Sequence, residues 1–222
     1  VTGKKIYINW AKEAAEILMK SAVSIDGGIA WESERGYRPL LGVSHGTGGI
    51  AWAFAKLYSV TREMKYQKIV LQALLYEDAN YDPAMNDWKD FRTESAGEKH
   101  QVAWCHGGGG ILLARKNIME LCDDVEISEI CQRDIVTNIE YLKKEKDRVG
   151  MCLCHGTAGN YEILKQFGEK SRMPFREISE MLFQERTAPG FMNGLCGIGY
   201  AALRGEKREY PDLLNVWLQN RT

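Results

Sequence analysis

The chain has 222 residues, 45% of them hydrophobic, with 29 Lys plus Arg against 30 Asp plus Glu. That balance argues against nucleic acid or an anionic membrane surface as a partner, and no apolar run approaches the ~20 residues that span a bilayer. The opening Val1-Thr2-Gly3-Lys4-Lys5 leads into a polar and aromatic mix rather than the apolar stretch of a signal peptide, and starting on Val points to an excised or incomplete chain.

In chain order, Ile6, Trp10, Ala14, Ile17 and Leu18 recur at helical spacing and predict a helix within residues 6–23. A glycine-rich clump, His45-Gly46-Thr47-Gly48-Gly49, then precedes a second stripe of Ile50, Phe54, Leu57 and Tyr58, and Ile69, Leu74 and Leu75 form a third. Residues 77–99 break the rhythm, with seven acids against three bases. Their Pro83, Asn86-Asp87 and Trp88 predict an ordered functional loop. The clump His106-Gly107-Gly108-Gly109-Gly110 leads into stripes over 111–121 and 127–142. His155-Gly156-Thr157-Ala158-Gly159 leads into stripes over 161–164 and 178–183, and Asn193-Gly194-Leu195-Cys196-Gly197 into one over 200–203. No alternating strand stands out, so the fold class reads as all-α.

The four clumps begin 61, 49 and 38 residues apart, an internal repeat with room for two helices per unit. Glycine at each opening permits a tight turn and close helix packing. Helix N-termini, with their unpaired N–H groups, would then gather at one end. Helical hairpins arranged around an axis, an α/α toroid, satisfy this pattern, and an open α-solenoid is the alternative.

The six cysteines sit mostly in helix-like patterns of a chain large enough to need no staples. With no signal peptide, this points to a reducing cytoplasm, where clustered Cys and His read as metal or catalysis. Cys105 in Trp104-Cys105-His106-Gly107 and Cys154 in Cys154-His155-Gly156 occupy equivalent places in the repeat. Taken singly, each cysteine fits a buried apolar position and His155 a helix cap. Their shared register favours zinc held by Cys105, Cys154 and His155. Three ligands and an open fourth position mark a catalytic rather than a structural ion. Cys152 and Cys196 read as packing, His106 as orienting or structural, and His100 as solvated. His45 opens the first clump and should face the same mouth, where an imidazole can move a proton.

Four separated motifs, in order, resemble the lanthionine synthetase C-like family: Gly42-Val43-Ser44-His45-Gly46-Thr47-Gly48-Gly49, Ala103-Trp104-Cys105-His106-Gly107, Cys154-His155-Gly156 and Gly190-Phe191-Met192-Asn193-Gly194-Leu195-Cys196-Gly197. The loop from Tyr76-Glu77 through Tyr81-Asp82-Pro83 to Asn86-Asp87-Trp88-Lys89-Asp90-Phe91-Arg92 looks like that of class II lanthipeptide synthetases, whose cyclase is the C-terminal domain behind a dehydratase. The resemblance implies a zinc-dependent cyclase with Cys105, Cys154 and His155 on the metal and His45 as catalytic histidine, acting as proton donor or base. Its substrate would be a dehydrated precursor peptide, whose cysteine thiolates add to dehydroalanine or dehydrobutyrine to give thioether rings. It also implies that residues 1–222 are the C-terminal portion of such a domain, about four hairpins of the six or seven in a full toroid. The family's acidic residue near the histidine then has no counterpart here, and Gln101 stands where some members carry arginine. The open flank would expose apolar helix faces and invite self-association. Two further readings are a non-catalytic peptide-binding fragment and a prenyltransferase-like toroid, the latter disfavoured because those sites resemble an Asp, Cys and His set.

Overall fold

The computed structural model describes residues 4–33, 37–92, 102–147, 150–170, 188–206 and 210–215. Among them, seven helices form where the periodicity places them: α1 (Lys5–Ser21), α2 (Thr47–Thr61), α3 (Met64–Ala79), α4 (Gly108–Leu121), α5 (Val125–Glu145), α6 (Thr157–Gln166) and α7 (Leu195–Glu206). The stripe over 178–183 and His100 lie outside the described residues.

Helices α2, α4, α6 and α7 pack each on the next, while α3 and α5 pack on α2 and α4 and touch one another. This is the inner and outer layering of an α/α toroid, of which the chain forms an arc. Helix α4 is buried along its whole first half, from Gly108 to Arg115, as an inner helix covered on both sides must be. The main core joins Trp52, Phe54 and Ala55 of α2, Tyr66, Val70 and Leu74 of α3, Ile111–Leu113 of α4 and Ile127 and Leu142 of α5. A smaller cluster joins Leu153, Ala158 and Tyr161 to Ile198, Ala201 and Ala202 of α7. Asp124 caps α5, its carboxylate accepting the Ile127 N–H at 3.1 Å.

Two small antiparallel hairpins qualify the all-α expectation. Strands β1 (Val23–Ile25) and β2 (Gly28–Ala30) pair Val23 with Ala30 and Ile25 with Gly28. Asp26 and Gly27 turn between them at φ 50° and 78°, the geometry that an Asp-Gly pair supplies. Strands β3 (Tyr81–Asp82) and β4 (Asp87–Trp88) fold the acidic segment back on itself. The first three residues of that segment, Glu77 to Ala79, belong to α3, and residues 93–99 lie outside the described residues.

Helix α1 departs from its predicted role. Ile6, Trp10 and Ile17 are 49%, 55% and 69% exposed, and Ala15 is the buried residue of the helix. The apolar stripe is real, but only part of it is covered: Leu18 packs on the core where α1 meets α2, while Ile6, Trp10 and Ile17 face solvent.

Why each repeat opens on small residues is visible in four equivalent glycines. A Cβ added at Gly49, Gly110, Gly159 or Gly197 would lie 2.1, 2.0, 2.0 or 1.9 Å from the carbonyl oxygen of Val43, Trp104, Leu153 or Phe191, six residues earlier. Each loop therefore doubles back onto the first turn of its own helix, and a side chain there would push it off. The return path satisfies helix-start donors: Gly49, Gly110 and Gly159 donate to the carbonyls of Gly42, Ala103 and Cys152 at 3.1, 2.8 and 3.3 Å. The helix starts gather at one end as expected, with donors engaged by their own loops.

Candidate metal and proton-transfer site

Single backbone hydrogen bonds string the four glycine-rich loops together. Ser44 N–H donates to the Cys105 carbonyl at 3.2 Å, Cys105 N–H to the Cys154 carbonyl at 3.0 Å, and Cys154 N–H to the Met192 carbonyl at 2.9 Å. The bonded residues hold the same place in successive repeats, so each following residue (His45, His106, His155 and Asn193) emerges at the same rim. This links the repeat directly to chemistry: residues 49 positions apart in sequence become backbone neighbours.

The ligand atoms of Cys105, Cys154 and His155 lie within 4.8 Å of one another. Tetrahedral zinc, with bonds of about 2.3 Å to sulfur and 2.0–2.1 Å to nitrogen, sets such donors roughly 3.5–3.8 Å apart, so a small contraction fits an ion. Two thiols and an imidazole are donors zinc accepts. Cys105 is buried, whereas Cys154 and His155 are half-buried, which leaves an approach from solvent.

The two thiols are hydrogen-bonded to one another. That bond draws Cys105 down to about 7, against the opposing effect of burial and with help from the Arg92 guanidinium. The same bond, joined by burial, pushes Cys154 upward. The pair thus gives up its first proton readily and holds the second.

His45 is exposed at the rim, and its ring stacks on that of His106 with centroids 5.7 Å apart. His106 is 5% exposed, and burial lowers it to about 4, with the Arg92 charge acting in the same direction. A neutral, buried His106 is the platform for His45, which gives the orienting role read from sequence a definite partner. Cys152 is buried, as expected, and lies outside the three-residue cluster. Cys196, by contrast, is exposed rather than packed. Ile198, Ala201 and Ala202 turn toward α6, and Cys196, two residues before Ile198 on a helix, faces elsewhere.

Arg92 went unrecognised in the sequence. Its Nε donates to both Asp90 oxygens at 2.9 and 3.1 Å, and its charge acts on Cys105 and Cys154. Phe91 between them lies under the Arg38 guanidinium, 4.5 Å from the ring centroid. The signal was the acidic segment itself, but nothing in the pattern showed that the charge of Arg92 acts on the thiols. Gln101 lies outside the described residues.

The family model described as "Lanthionine synthetase C-like protein" matches residues 3–218. A lacticin 481/lactococcin biosynthesis protein of Lactococcus lactis subsp. lactis is 33% identical over 132 residues, which cover 57% of this chain and 14% of that protein. The fold is similar to that of nisin cyclase, with a TM-score of 0.61 at 18% identity over 81% of this chain and 50% of that one. The chain thus spans half or less of the relatives it matches.

Proposed function

The chain belongs to the lanthionine synthetase C-like family, and on that premise we propose that it is the C-terminal part of a lanthipeptide cyclase that closes thioether rings in a dehydrated precursor peptide. The observation that carries this reading is the gathering of Cys105, Cys154 and His155, from two repeats, into one cluster of soft donors. Beside it His45 stands exposed on the buried His106. The similarity to a lacticin 481/lactococcin biosynthesis protein and to nisin cyclase supports the same substrate class.

Zinc held by the three side chains would supply an open position at which an incoming peptide cysteine loses its thiol proton. Two thiolates and a neutral imidazole would leave such a site near neutral overall, which would keep a bound substrate sulfur nucleophilic. The S–H bond breaks, a C–S bond forms at the β-carbon of dehydroalanine or dehydrobutyrine, and the proton is delivered to the α-carbon. His45 carries that proton, as acceptor from the thiol or as donor to the enolate. Arg92, fixed by Asp90, places positive charge beside the sulfurs and favours their thiolate forms. In the cell the chain would work in the cytoplasm, joined to a dehydratase that prepares the peptide.

Ring closure leaves peptide mass unchanged, so the test is to alkylate and count free thiols after incubation with a dehydrated, cysteine-bearing peptide. Loss of thiols that requires zinc supports the cyclase, and thiols that persist with zinc bound refute it for this chain.

A further inference from the structure

Glu77, in the last turn of α3, has no solvent exposure, yet it is an acid. One carboxylate oxygen accepts the Gly42 N–H at 2.9 Å, and the other accepts from Arg115 Nη1 at 2.9 Å. Arg115 is itself fully buried and donates through Nε to Asp134 at 2.8 Å. On its remaining side Glu77 meets the first turn of α2 so closely that a Cβ on Gly48 would stand 2.8 and 2.9 Å from its two oxygens. The carboxylate therefore touches both ends of the loop 42–48, and His45 is at the middle of that loop.

Buried ion triads add little to stability, because apolar replacements of the same shape often do as well. Their attested use is to fix register. Here the Arg115 fork sets the orientation of the carboxylate. Gly42 itself, at φ +92°, lies 3.2 Å (by its absent Cβ) from the Cys105 carbonyl. The grip of Glu77 on Gly42 thus bears on the spacing between the His45 loop and the Cys105 loop.

We propose that Glu77 is a positioning residue for His45, holding its imidazole on His106 beside the thiols. The inference rests on the proton-transfer role given to His45 above. The test uses Glu77→Gln and Gly48→Ala. The second leaves both charges of the ion pair in the chain and favours the helix, while its Cβ forces the carboxylate and the first turn of α2 apart. Expected in either folded variant are a shifted His45 ring proton resonance, full zinc content, peptide KM within about twofold, and a kcat lowered about 10–100-fold, the effect of a misplaced catalytic group. A His45 resonance unchanged in folded Gly48→Ala, or activity falling only with the folded fraction, overturns the proposal. His45→Asn separates the two readings: if it retains full turnover, proton transfer by His45 fails, while the resonance still reports whether Glu77 sets its position.

Discussion

His45 has an exposed imidazole with a buried, neutral partner beneath it. That stacking restrains the ring. Replacement His45→Asn is expected to lower the rate of thiol loss by about 10²–10⁴-fold, the usual worth of positioned acid–base catalysis, with zinc content unchanged by elemental analysis. Truncation of a proposed ligand acts differently: Cys105→Ala should lose zinc at stoichiometric concentration, which dialysis against a chelator and metal analysis would reveal. Cys105, Cys154 and His155 were legible in the sequence because repeat register makes distant residues equivalent. Arg92 was not, because its charge acts on the thiols from the acidic segment, which has no counterpart in the other repeats. Cys196 misled for a local reason: Ile198 nearby is core, but Leu195 and Cys196 are both exposed and lie off the face that α7 turns to α6.

Each inner helix begins where its loop returns over the first turn, so loop position and helix start are one structural unit. Gly110→Ala would drive a Cβ into the Trp104 carbonyl, one residue before Cys105. It should cost about 1–3 kcal/mol in denaturant unfolding and weaken zinc binding in a competitive titration. Asp87, in β4, supports the start of α4, where its Oδ1 would lie 2.9 Å from a Cβ on Gly108. Burial pushes its carboxyl from 3.8 up to about 7, against hydrogen bonds from the Trp88 and Gly108 backbone. A raised acid favours the fold when protonated. Its contribution is therefore complete below about pH 4 and lost as pH rises through about 7. Asp87→Asn should gain stability relative to the parent by about 2–4 kcal/mol between pH 4 and pH 8, measured by urea unfolding at both. A constant difference would show that Asp87 does not titrate in this range. The long helices were legible from their 3.6-residue stripes. The hairpins at 23–30 and 81–88 were not, because two or three residues per strand are too few to display alternation, although Asp26-Gly27 carried the turn signal.

As a whole, the molecule is an arc of a toroid: its inner helices run from α2 to α7, and α1 carries Ile6, Trp10 and Ile17 to solvent. An apolar face of that kind seeks cover. Trp10→Glu with Ile17→Glu should leave the unfolding midpoint nearly unchanged, since surface substitutions act within about 0.5 kcal/mol. The same change should shift sedimentation of the chain from associated species to monomer. A parent chain that is already monomeric at tens of micromolar would show that this face does not pair with its own copy. The proposed function requires a thiol-activating ion between two repeats, and X-ray absorption at the zinc edge tests it most directly. Zinc bound to the chain should show two sulfur neighbours at about 2.3 Å and nitrogen at about 2.0–2.1 Å, rising to three sulfurs when a cysteine-bearing peptide is added. A sulfur count that stays at two with peptide bound, or a first shell without the cysteine sulfurs, would contradict it.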